Sequence, residues 1–109
     1  MTLEVTRAGP DDMAALLPMV TALAAHHGDD CTADLETIAR DLTGPAACGT
    51  ALIGRRAGTA EGYAVLFPIL EIQAGRRGMV LHHLFVDANA RGLGLGKALI
   101  AACVVHARQ

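Results

Sequence analysis

Aromatic side chains are nearly absent from this chain: no tryptophan, one tyrosine and two phenylalanines occur in 109 residues. Any core must therefore be aliphatic and alanine-rich. At 52% hydrophobic there is material enough for one domain, spanning 1–109. Apolar runs are broken by charge or glycine well short of the ~18 residues that a membrane span needs, so no membrane partner is expected. The start of the chain carries Glu4, Asp11 and Asp12 instead of a basic run followed by an apolar block. No secretion signal is read there, and a cytoplasmic location is expected. Basic residues are few and scattered, and the formal net charge is −2. A nucleic-acid partner would require clustered lysine and arginine, so none is expected. The two local pairs, Arg55-Arg56 and Arg76-Arg77, sit beside turns and read as solvated charges. Cys31, Cys48 and Cys103 are odd in number and far apart, with no CxxC or CxxH spacing. Neither zinc nor a disulfide framework is suggested, and the three read as small buried residues.

What is present is a clear change of period along the chain. Leu3, Glu4, Val5, Thr6 and Arg7 alternate as a short strand does. Gly9, Pro10, Asp11 and Asp12 then open a helix, with proline and acidic residues suited to a first turn. Met13, Leu16, Leu17, Val20, Leu23 and Ala24 give it an apolar stripe, Pro18 interrupts that stripe, and His26, His27 and Gly28 close it. A second helix is expected from Thr32, as N-cap, to Leu42. Strands are expected at 50–55 and 63–70, joined by a hairpin connection over 56–62, with Pro68 bending or stopping the second. After a loop at 73–78 come a strand at 79–86 and a helix at 97–108. The order is β-α-α-β-β-β-α. It predicts an α+β fold with a mixed, mainly antiparallel sheet and helices on its faces.

The segment that carries chemistry is Arg91-Gly92-Leu93-Gly94-Leu95-Gly96-Lys97, set between a strand and a helix. Alternating glycines ahead of a helix let successive main-chain N–H groups converge, and the positive end of the helix dipole favours a phosphate there. A P-loop is excluded, because Arg91 stands where its first glycine should be and Ala98 where its hydroxyl should be. A dinucleotide fingerprint is excluded because the third glycine is missing in either register, and the segment does not open a βαβ unit.

The pattern R-x-x-G-x-G is met by Arg91, Gly94 and Gly96, and it is preceded by Leu84-Phe85-Val86-Asp87. Here the chain resembles the GNAT superfamily of N-acetyltransferases, and the order of elements from Leu3 onward agrees. The resemblance implies acetyl-CoA as acyl donor. Main-chain amides of Gly92, Leu93, Gly94, Leu95, Gly96 and Lys97 would hold its pyrophosphate, with Arg91 fixing the loop. Main-chain groups of Leu84, Phe85 and Val86 would pair with the pantetheine arm as an added strand would. In the family a bulge in this strand aims an N–H at the thioester carbonyl and stabilises the oxyanion. The acceptor, a small-molecule or peptide amine, would attack directly while both substrates are bound, with no metal needed. His82 and His83 stand where many members carry an acidic pair, so the resemblance marks them as candidates for the base that takes the amine proton. On a regular strand the two would face opposite ways, leaving only one in a given pocket. His26 and His27 lie near where the family places the acceptor, although closing the helix is the simpler reading.

The resemblance stops with the helix after the glycine loop. In the family a further strand, helix and pair of strands follow, with a tyrosine that protonates the leaving thiolate. Tyr63, the one tyrosine here, belongs to another strand. The sequence therefore predicts an incomplete GNAT fold, truncated after this helix, with an open sheet edge at 79–86 that a second copy would complete as a homodimer. It leaves open a fragment of a full acetyltransferase, a self-completing dimer, or a non-catalytic acyl-CoA-binding or interaction module.

Overall fold

The computed structural model describes residues 2–109. Four strands and three helices form it: β1 (Leu3–Arg7), α1 (Met13–His26), α2 (Leu35–Leu42), β2 (Thr50–Arg56), β3 (Thr59–Glu71), β4 (Arg76–Val86) and α3 (Leu95–Ala107). The strands lie in the order β1-β2-β3-β4, and every pairing is antiparallel. The order of elements and the α+β class are as the sequence predicts. No helix among the described residues is long and apolar enough to cross a membrane.

Side-chain alternation on the two central strands splits the core in two. Ala51, Ile53, Tyr63 and Val65 face Met13, Leu16, Met19 and Leu23 of α1 and Ile38 of α2. Leu52, Ala64 and Leu66 face Leu95, Leu99 and Cys103 of α3. Each fully buried leucine on these faces contributes about 1.5–3 kcal/mol of apolar transfer. Glycines set how close α3 comes. A Cβ on Gly54 would lie 2.7 Å from Leu95 Cδ1, and one on Gly62 would lie 2.8 Å from the Phe85 carbonyl oxygen. These two residues are paired across β2 and β3, so α3 rests in a notch in the sheet.

Several boundaries differ from expectation. The N-cap of α2 is Asp34, not Thr32: its carboxylate accepts from Thr37 N–H at 2.9 Å, and Thr37 Oγ1 accepts from Asp34 N–H in return. β2 and β3 run on to a two-residue turn at Ala57 and Gly58, both with positive φ. Pro68 does not stop β3, which continues to Glu71. β2 ends opposite Leu66, so at Pro68 the strand has a neighbour on one side only, and the missing N–H can face the open side. β4 begins at Arg76, inside the expected loop, and α3 begins at Leu95, inside the glycine segment. The arginine pairs do more than solvate turns. Arg55 bonds Asp12 at 2.7 Å ahead of α1, and Arg56 bonds Glu61 at 2.9 Å across the hairpin. The bond from Arg76 to Glu71, by contrast, is well exposed. Of the cysteines, Cys103 alone is buried; Cys31 is half-buried and Cys48 exposed.

Candidate functional site

The glycine segment is built as a cradle. Asp87 accepts from Asn89 N–H at 2.9 Å and starts a single turn at residues 88–90, whose Asn89 carbonyl lies 3.4 Å from Arg56. The chain then passes through Gly92 (φ +79°) and Gly94 (φ +90°), left-handed positions that side chains disfavour. Gly94 is the N-cap of α3, and the first well-formed hydrogen bond beyond it runs from Ala98 N–H to the Gly94 carbonyl at 3.0 Å. Among the described residues, no N–H from 92 to 97 has such a partner. A run of donors without a well-formed partner thus meets the positive end of a thirteen-residue helix. Nothing lies within 4 Å of where a Gly92 Cβ would sit, and a Gly96 Cβ would touch Val86 at 3.4 Å. The cradle is open outward and tight against β4, which fits a diphosphate seated on bare backbone.

β4 is the edge strand, with β3 as its one neighbour among the described residues. Asp87 N–H donates to the Glu61 carbonyl at 2.7 Å, and Phe85 lies opposite Tyr63. Antiparallel alternation then turns the main chain of Phe85 toward β3 and that of Leu84 and Val86 toward the open edge. Arg91 Nε donates to the Val86 carbonyl at 3.2 Å, pinning the loop to the strand. A cleft of about 330 Å³ runs along this stretch. Leu84, Phe85, Val86 and Arg91 form one wall; Leu23, His26 and His27 at the end of α1 form the other. His27 also caps α1, its N–H reaching the Leu23 and Ala24 carbonyls. Leu93 and Lys97 are exposed beside the cradle.

The two histidines do not face opposite ways. Val65 lies opposite His83 and Leu66 opposite Leu81, so His82 is an extra residue in β4. The bulge turns both imidazoles to the α1–α2 side, where they stack with centroids 4.2 Å apart and planes 17° apart. Both line a second cavity of about 300 Å³. Tyr63, fully buried on β3, places its hydroxyl 3.2 Å from His83 Nδ1. Burial pushes the tyrosine pKa up, so the phenol stays protonated. His83 is its one hydrogen-bond partner among the described residues, and a buried hydroxyl proton without an acceptor is costly. We therefore assign Tyr63 as donor to Nδ1, which puts the proton of neutral His83 on Nε2. Burial first, then the neighbouring His82 and His27, hold the His83 pKa below its usual value.

Sequence reasoning missed Tyr63 as a partner of His83, Gly54 and Gly62 as the notch under α3, and Glu61 as the anchor of Arg56. Tyr63 and His83 are 20 residues apart, and only strand register brings them together.

Comparison with known proteins agrees with this geometry. Among curated proteins none matches in sequence. The ribosomal-protein-alanine N-acetyltransferase of Brucella melitensis biovar Abortus 2308 superposes with a TM-score of 0.81 at 23% identity, over 99% of this chain and 73% of that one. An aminoglycoside acetyltransferase, meta-AAC0020, from an uncultured soil metagenomic sample gives 0.79 at 17% identity, over 97% and 70%. An integron cassette protein from the mobile metagenome of Cole Harbour Salt Marsh gives 0.80 at 23%, over 94% and 68%. At these identities the likeness speaks for the fold. The sequence profile of the Acetyltransferase (GNAT) family matches residues 19–109, most of the chain, and the protein belongs to that family.

Proposed function

We propose that the protein transfers an acetyl group from acetyl-CoA to a primary amine, with both substrates bound at once. The observation that carries this reading is the run of N–H groups at 92–97 without a well-formed partner among the described residues, set where α3 begins and joined through Arg91 to the cleft beside residues 84–86. Acetyl-CoA supplies an activated thioester: the amine nitrogen bonds to its carbonyl carbon, the C–S bond breaks, and CoA leaves as the thiol.

The chain's own groups divide the remaining work. The backbone of residues 92–97 binds the pyrophosphate, and the dipole of α3 and the Lys97 ammonium add to the attraction. Arg91 keeps the loop against β4 through the Val86 carbonyl. The outward main-chain groups of Leu84 and Val86 align the pantetheine arm, and the side chain of Phe85 forms its wall. His82 takes the amine proton. His83 has Nδ1 occupied by Tyr63 and offers Nε2–H, so it donates a hydrogen bond and does not compete for that proton.

The reading includes a homodimer paired along the open edge of β4 at residues 76–81, clear of the main-chain groups of Leu84 and Val86, and a cytoplasmic location, where the three free thiols suit a reducing compartment. Sedimentation velocity checks the dimer. Calorimetric titration with acetyl-CoA, followed by thiol release across a panel of primary amines, tests the function. Binding and turnover are expected, and His82→Gln is expected to lower kcat more than KM. Binding without turnover, unchanged by His82→Gln, would leave an acyl-CoA-binding module. No binding would remove the proposal.

A further inference from the structure

We propose that the cavity beyond the histidine pair takes a monocationic primary amine carrying a short aliphatic body. The inference rests on the acetyltransferase reading above and deepens it by naming the class of acceptor. The order of features along β4 motivates it. From the glycine loop backward come the donor cleft at 84–86, the stacked rings of His83 and His82, and then the second cavity, all on the α1–α2 side of the sheet. An amine in that cavity approaches the histidines from the side opposite the donor.

The walls state what fits. Val20 of α1, Ile38 and Leu42 of α2, and Val65 of β3 make the cavity aliphatic, and at about 300 Å³ it stands at the small end of ligand sites. Its one carboxylate is Asp41. Hydrogen bonds from Arg40 Nε at 2.9 Å and Nη2 at 3.1 Å hold that carboxyl below its usual pKa, so at neutral pH Asp41 is a carboxylate while an alkylamine is an ammonium. The Arg40–Asp41 pair is exposed and therefore weak, and a carboxylate keeps lone pairs beyond the two that Arg40 uses. One further cation can be received. Asp41, Leu42, Val65 and His82 also line a neighbouring groove with Phe67 and Pro68, which gives a longer alkyl chain somewhere apolar to lie. A second ammonium on the acceptor would enter an aliphatic wall with no counter-charge, and that excludes polyamines and polycationic sugars. Asp41 recruits the ammonium, the aliphatic walls hold its body, and His82 sits at the same cavity to take the proton.

The test uses the full chain with labelled histidines and follows the ring signals of His82 and His83 by NMR during titration with hexylamine, methylamine or spermidine. Hexylamine is expected to shift both rings saturably and to bind at least about tenfold tighter than spermidine or methylamine. Asp41→Asn is expected to weaken hexylamine about tenfold without changing acetyl-CoA affinity. Val20→Phe, which fills the cavity, should abolish the preference for hexylamine over methylamine. Spermidine binding as tightly as hexylamine, or hexylamine affinity indifferent to both variants, overturns the proposal. A separate acetyl-CoA titration keeps the two ideas apart. Selective hexylamine binding with no acetyl-CoA binding would sustain the pocket and sink the transferase reading; acetylation of spermidine with hexylamine untouched would do the reverse.

Discussion

His83 has two ring nitrogens, and the Tyr63 hydroxyl occupies one of them at 3.2 Å. Tyr63→Phe would leave a half-buried Nδ1 without its donor, at about 1–3 kcal/mol. It would also free the imidazole to hold its proton on either nitrogen, a change that 15N shifts of the ring report directly. The same burial gives a pH signature. The groups facing His83 are His82 beside it, Tyr63 from β3, His27 from α1, and Asp41 of α2 across the shared cavity. Burial, His82 and His27 hold its pKa below the ordinary 6.5. The unfolded chain therefore binds the proton first as pH falls. The stability due to neutral His83 is complete above 6.5 and is lost as pH drops through the lower folded value. Denaturant midpoints measured from neutral to about pH 5 should fall, and His83→Gln should flatten the slope. A rise in stability over that window would contradict the assignment.

Among elements, the join between sheet and α3 decides where the cradle sits. Gly54 and Gly62 allow Leu95 and Leu99 into van der Waals contact with the sheet, and Leu95 is the first residue of the helix whose N–H groups matter. Gly62→Ala forces a Cβ to within 2.8 Å of a carbonyl oxygen. We expect it to destabilise by about 1–3 kcal/mol and to displace the start of α3. Gly94→Ala is strained in its left-handed backbone by roughly 1–2 kcal/mol. It should lose acetyl-CoA affinity by calorimetry while far-ultraviolet circular dichroism stays unchanged. The glycine loop was legible because its chemistry is local: spacing within seven residues and a helix behind it. The notch was not, because Gly54 and Gly62 acquire meaning only when β2 and β3 pair. Asp34 was passed over because Thr32 and Asp34 are both acceptable caps, and the Thr37 that decides between them is itself unremarkable.

For the molecule as a whole, the two clefts share one face of one edge strand, and binding at each should be visible as protection at different places. Because no N–H from 92 to 97 has a well-formed partner among the described residues, those amides should exchange quickly in the free protein. Acetyl-CoA should slow them selectively, as hydrogen-exchange mass spectrometry can show, while leaving α2 unchanged. Protection spread evenly over the chain would point to global stabilisation instead. The element order, the sheet class and the glycine turn ahead of α3 follow from patterns readable in one dimension. The way His82 and His83 face does not, because nothing in a His-His dipeptide announces that β4 carries an extra residue opposite β3.

That extra residue resets the two-step rhythm of the strand. Beyond it, His83 and Phe85 face α1 while Leu84 and Val86 face α3; before it, Met79 faces α3 and Leu81 lies opposite Leu66, an α3-facing residue. Odd-numbered positions thus change sides at His82. Replacing one residue between 76 and 81 alters one side chain, but adding or removing one inverts the whole stretch, as a frameshift does to a message. The chain can absorb such a slip only by erasing the bulge, and one imidazole would leave the cavity with it. Segment length here is constrained as tightly as residue identity, so changes in steps of two should be tolerated where a step of one is not.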